Sequence, residues 1–171
     1  MKKAVWSGII ATVGILTLST SVYAQQTANG TVNVTANVNA KAKLTINGTA
    51  TASISFADAD PDVSPTVAAS PLSIAVKART TGNGSVTLTV KASQDLTSTT
   101  SDTITISALK WTSTGANFAG NGTSSATAEV GVLTATGSGN HTGVQTYALD
   151  NSWAYATGTY TTTLTYTLTA P

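Results

Sequence analysis

From Val32 the even-numbered positions read Val32, Val34, Ala36, Val38, Ala40, Ala42, Leu44 and Ile46, with only Asn, Thr and Lys between them. Successive side chains of a strand point to opposite faces, so this period of two predicts a strand with one buried and one wet face. The same period recurs over Leu72–Ala78, Val86–Ala92 and Ile104–Ala108, and more weakly over Ala128–Ala135 and Val144–Leu149. It is plainest at the end, where Tyr160, Leu164, Tyr166 and Leu168 share one face and Thr159 to Thr169 supply the other. Beyond the first 24 residues no segment carries a helical period. Thr81-Gly82-Asn83-Gly84 reads as a hairpin turn between two strands. Gly120-Asn121-Gly122, Gly137-Ser138-Gly139-Asn140 and Thr157-Gly158 read as loops, and Asp60-Pro61 with Ser64-Pro65 marks a longer connection. Together these predict an all-β, antiparallel β-sandwich of about seven to nine strands. A transmembrane barrel also alternates, but it needs two aromatic girdles. After residue 24 the chain has two Trp, four Tyr and two Phe, which favours the sandwich.

The first residues follow another logic. Lys2 and Lys3 precede an apolar run from Ala4 to Leu18, and Val22-Tyr23-Ala24 supplies small residues for a peptidase. This order predicts a signal peptide over residues 1–24, cleaved after Ala24. The apolar run falls short of the ~20 residues that span a bilayer. The expected product is exported to the periplasm, cell surface or extracellular space, with residues 25–171 as one sandwich domain and no further transmembrane segment. Of the 8 basic residues in the chain, Lys2 and Lys3 go with the leader, which leaves a formal charge of −1. A near-neutral, charge-poor chain has no electrostatic footprint for nucleic acid. The 35 Thr and 18 Ser explain how such a chain meets water: Thr is β-branched and suits strands, and its hydroxyl suits their outer face.

Extended, Val32 to Ile46 would measure ~50 Å, against ~20 Å for a usual strand. Either the first strand bends to serve both sheets, or residues 25–46 include a donor strand that inserts into a neighbouring subunit. In the second reading Val32, Val34, Ala36 and Val38 form the assembly strand, and the partner is another copy joined by strand exchange. The apolar positions continue past Asn47-Gly48 to Ala50, Ala52, Ile54 and Phe56. A two-residue turn there would set Leu44 opposite Thr51 and mix apolar with hydroxyl side chains on one face. Matching the faces needs an odd-length loop or a crossing to another sheet.

The leader, the alternating N-terminal segment, the Thr-rich strands and the final Gly158-Thr159-Tyr160…Leu164-Thr165-Tyr166 strand resemble exported fimbrial subunits, nearest the spore-coat-U-like pilins of archaic chaperone–usher systems. The ending Leu164–Pro171 also looks like the tail of cell-wall-binding WxL domains. The resemblance implies an immunoglobulin-like sandwich and a structural subunit of a cell-surface fibre or coat.

Candidate chemistry is sparse. Asp58, Asp60 and Asp62 hold three of the 7 acidic residues within five positions. Alternate carboxylates in an extended loop either converge on Ca²⁺, which takes six to eight oxygens, or stay solvated. No other cofactor is indicated. His141 has Asp150 nine residues on, but no G-x-S-x-G elbow supplies a serine, and Glu129 is the only glutamate. No catalytic residue is assigned, and the chain reads as a non-enzyme. Tyr147, Trp153, Tyr155 and Tyr160 concentrate half the aromatics left after the leader. Exposed, Trp153 and Tyr155 would stack on the sugar rings of a cell-surface glycan, the alternative function of a carbohydrate-binding or adhesive module. Buried, Trp153 and Tyr160 anchor the core, with a phenol bonded to backbone as in a tyrosine corner.

Overall fold

The computed structural model describes residues 28–171, so the expected signal peptide lies outside the described residues. The chain divides into two units, residues 1–36 and 37–171. In the first, residues 28–36 have no regular secondary structure and every side chain is exposed. The second is built of strands, with no α-helix among the described residues, and none of its elements is a helix long and apolar enough to cross a membrane.

The strands are β1 (Lys41–Ile46), β2 (Thr66–Ala68), β3 (Leu72–Arg79), β4 (Ser85–Ala92), β5 (Leu96–Ser98), β6 (Thr103–Ile104), β7 (Leu109–Thr114), β8 (Asn121–Thr123), β9 (Val130–Thr136), β10 (Gly139–Asp150), β11 (Tyr160–Thr161) and β12 (Leu164–Thr169). The number exceeds the seven to nine expected because several are two- or three-residue pieces too short to register as a pattern. All pairings are antiparallel. The largest sheet runs β1-β3-β10-β7-β8, with β2 also on β10; smaller sheets run β12-β4-β9 and β11-β5-β6.

Their inward residues meet in one cluster that includes Ile74 and Val76 of β3, Val86, Leu88 and Val90 of β4, Trp111 of β7, Val132 of β9 and Tyr147 of β10. This arrangement is consistent with a β-sandwich. The alternation is realised most cleanly in β3 and β4, where every second residue is buried. In β9 both Val132 and Leu133 are buried, because a bulge opposite Leu88/Thr89 breaks the period.

Several sequence expectations change. Thr81–Gly84 does turn the chain, with Gly84 N–H bonded to Thr81 O at 3.1 Å. It is not a hairpin, because β3 and β4 belong to different sheets. The turn carries the chain from one sheet to the other. Gly139 and Asn140 lie in β10 rather than in a loop. Ile106–Ala108 is a 3-10 turn, started where Ile106 N–H bonds the Asp95 carboxylate at 2.8 Å. At Asn47-Gly48 both residues have positive φ, 50° and 79°, as a two-residue turn requires. Ile46 and Thr49 exchange backbone bonds of 2.7 and 3.0 Å, and the pairing stops at that bridge. The next pair on the same face would have set Leu44 against Thr51. The chain instead leaves the ladder and packs Ile54 and Phe56, half-buried, on the core.

Candidate functional site

Three regions carry the side chains singled out by the sequence. The first is the N-terminal alternation. Only Lys41–Ile46 forms a strand; residues 28–40, as far as the described residues go, have no regular secondary structure. Val32 and Val34 are 86% exposed and Val38 67%, and Ala36 is exposed as well. Four apolar side chains at a spacing of two are thus left in water. At the other end of the chain, β12 bonds β4 along one edge only and terminates its sheet. Its inward residues Leu164, Tyr166 and Leu168 are half-buried, whereas Leu88, Val90 and Ala92 opposite them are almost completely buried.

The second region hangs from the end of β10. Asn151 bonds Pro65 O through its backbone N–H at 2.8 Å, and its amide donates to Ala59 O and Ser64 O at 2.9 and 3.0 Å. These bonds tie the loop carrying Asp58, Asp60 and Asp62 to the loop carrying Trp153. Inside the acidic loop, Asp62 N–H bonds the Asp60 carboxylate at 2.9 Å, the local turn that Asp favours. The Trp153 indole N–H donates to the Asp62 carboxylate at 3.1 Å, and the ring is 69% exposed. The core position expected for Trp153 is therefore corrected: its indole finds a surface carboxylate, and the residue stands in water. Tyr155 is half-buried on the core and Tyr160 likewise. The Tyr160 hydroxyl donates to Ala156 O at 2.8 Å, the phenol-to-backbone bond expected of it. All three aspartates are exposed. Among the described residues no three His, Cys, Asp or Glu side chains are gathered as a metal cluster would be.

His141 is half-buried in β10, with Nδ1 at 3.3 Å from the Asn117 amide. Asp150 ends the same strand, roughly 30 Å away at strand rise, and pairs with Lys110 at 2.6 Å. The two are not brought together.

The third region is a polar chain inside the core, which the sequence did not announce. Tyr147 and Gln145 of β10 are completely buried and face Tyr166 of the opposing sheet. The Tyr147 hydroxyl donates to that of Tyr166 at 2.8 Å, and the Tyr166 hydroxyl donates to Gln145 Oε1. Burial pushes the Tyr166 phenol up to about 12, the bond from Tyr147 offsetting part of the rise. Burial pushes Tyr147 further still, helped by the charge Tyr166 would carry and by the bond between them. The only sequence signal was Tyr166 on the apolar face of the last strand; its partners lie 19 and 21 residues away. A shallow open depression of about 470 Å³ on the outer face of the large sheet, beside Thr45, Ser73, Thr142 and Gly143, has no ionisable side chain in its lining.

Comparison with protein-family models and with curated protein sequences yields no match.

Proposed function

We propose that this chain is an exported, non-catalytic structural protein with an immunoglobulin-like sandwich, a subunit of a cell-surface fibre or coat. The observation that carries this reading is the segment 28–40, whose Val32, Val34, Ala36 and Val38 alternate as a strand does yet are exposed and, among the described residues, lie in no strand. An apolar, unpaired strand sequence is unfavourable in water and templates pairing with another chain. The half-buried inward face of β12 offers a sheet edge at which an added strand would complete a ladder and cover apolar surface. Deleting residues 28–38 is expected to leave the melting temperature of the monomer within about 2 °C, because nothing buried is removed. The same deletion is expected to abolish assemblies that survive high salt, read by sedimentation and electron microscopy. Wild-type chains that stay monomeric at high concentration would refute strand donation.

The exposed ring of Trp153 favours a second reading, a glycan-binding module. An indole fixed at one edge by Asp62 presents a free face to a sugar. Tyr155, half-buried on the core, is the lesser contributor. The expected result of this reading is a saccharide-dependent change in indole fluorescence that disappears in Trp153→Ala. A glycan panel without hits would remove it.

A further inference from the structure

The cations of this chain are segregated in a way the sequence does not display. Beyond the leader it has six, and four of them, Lys41, Lys43, Lys77 and Arg79, lie exposed on β1 and β3. The register sets Lys41 opposite Arg79 and Lys43 opposite Lys77. Like charges directly opposite one another destabilise a strand pair. No carboxylate offsets them: among the described residues the ion pair is Lys110–Asp150, which involves neither strand. Lys77 also faces Asn140, the second residue of β10, so this cluster marks the start of the longest strand. The acidic loop marks its other end, where Asp150 is paired with Thr66 and Asn151 holds Ala59 and Ser64. Ten residues of strand separate the two ends, roughly 33 Å. The domain is therefore electrically polar along β10, with four unpaired cations at one end and Asp58, Asp60, Asp62 and an exposed tryptophan at the other.

We propose that the Lys41, Lys43, Lys77 and Arg79 face of one copy docks on the Trp153–Asp62 end of a second copy. This inference rests on the structural-subunit reading and adds to it a contact separate from strand donation. The occupant is a second copy because the complementary charge and the aromatic platform are both present on this chain. The indole N–H of Trp153 is taken by Asp62, which leaves the ring face open to a guanidinium, the cation that stacks best on an aromatic. Arg79 supplies that group, and the lysines face the carboxylates. Two different patches joined head to tail form a heterologous contact, which does not close on itself unless a rotation brings it round, and so extends a filament. The electrostatic range at ~1 M salt is ~3 Å against ~10 Å at 0.1 M, so this contact is salt-labile where an inserted strand is not.

The test is sedimentation velocity on the chain from Gln25 to Pro171, at low and high salt, with circular dichroism to verify each fold. Wild-type chains are expected to associate at low salt and to lose at least tenfold in association constant at ~1 M. The pair Lys77→Glu and Arg79→Glu is expected to lose about as much at low salt, and so is the pair Asp58→Lys and Asp62→Lys. The first variant neutralises its cationic face and the second turns its acidic end positive, so neither alone keeps a complementary pair. An equimolar mixture of the two is expected to form a heterodimer with the wild-type salt dependence and to extend no further, because the intact cationic face of the second variant meets the intact acidic end of the first while the two altered patches do not match. All four substitutions fall on exposed side chains. Two non-associating variants that do not rescue one another in the mixture would overturn the proposal, as would wild-type association indifferent to salt. Binding of the cationic face to a sulfated polysaccharide with no self-association would also overturn it. Deleting residues 28–38 separates this contact from strand donation, since salt-labile association should survive that deletion and salt-resistant assembly should not.

Discussion

Gly122→Ala is expected to destabilise the domain by about 3 kcal/mol, the upper part of the range for overpacking a core. Gly122 in β8 lies directly opposite Trp111 in β7, and the Trp111 ring crosses the position a side chain would take. A Cβ built on Gly122 falls 2.2 Å from Cζ2 and 2.5 Å from Cε2 of that ring, far inside van der Waals contact. The ring cannot swing away easily, because Trp111 is 1% exposed and part of the central cluster. The easier response belongs to β8, a three-residue strand at the end of its sheet. The variant should therefore lose the pairing of Lys110, Trp111 and Thr112 with β8 first, seen as faster amide exchange there, together with a red shift in indole emission. Urea denaturation measures the loss. In a Trp111→Leu background the added methyl should cost less than about 1 kcal/mol, because the clashing ring is gone. Equal stability of Gly122→Ala and wild type would show that the Trp111 ring does not need this glycine.

The second large effect lies in the Tyr147–Tyr166–Gln145 chain. Tyr166→Phe removes the hydroxyl that both accepts from Tyr147 and donates to Gln145, leaving two completely buried groups without it. Unsatisfied buried groups cost ~1–3 kcal/mol each, so a loss of about 3 kcal/mol is expected. Tyr147→Phe removes the end of the chain and leaves Tyr166 on Gln145, so its loss should be nearer ~1 kcal/mol. The asymmetry identifies Tyr166 as the middle of the chain. The same residues set an alkaline limit. Their phenols ionise at 10.0 when unperturbed, and burial raises both in the fold, Tyr166 to about 12 and Tyr147 beyond it. Above pH 10 the unfolded chain releases protons that the folded chain keeps, so stability falls as pH rises. Each tyrosine contributes a slope of about 1.4 kcal/mol per pH unit. The stabilisation is complete below pH 10, and the part due to Tyr166 is gone above about pH 12. Phenolate absorbance should appear together with unfolding in wild type, and a Tyr147→Phe, Tyr166→Phe double variant should show a much flatter pH dependence. Unfolding that lags well behind ionisation of these phenols would contradict the assignment.

The period of two was sufficient for the strands that bury one face. Leu72–Arg79 and Ser85–Ala92 alternate in the fold as they do in the chain, and Leu164–Thr169 keeps its threonines outward. That much is local, because the pleat itself sends alternate side chains to opposite sides. Asn47-Gly48 was readable as a turn with a register conflict, but only the structure shows a two-residue turn whose pairing ends after one bridge. The candidate sites were less legible. Trp153 and the three aspartates were visible as residues, but their linkage through Asn151 depends on bonds spanning 87 to 92 positions. Trp111 was visible as an aromatic, but nothing local marks Gly122 as the residue its ring requires.

What the sequence by itself determined is the class of structure: an all-β, antiparallel chain whose abundant threonines face water because a β-branched hydroxyl suits an exposed strand face. It also determined that the segment from Val32 to Ile46 alternates. Only the tertiary structure decided that this alternation divides at Lys41, with Val32, Val34, Ala36 and Val38 left exposed. The reason is that a strand needs a partner as well as a pattern, and which edges are taken is settled by the register of the whole sheet. The same register placed Lys41 beside Arg79 and Lys43 beside Lys77, turning cations scattered along the sequence into one face. It also brought Tyr147 and Gln145 under Tyr166. Pairing across a sheet and packing between sheets are long-range facts, and the physics of one strand does not contain them.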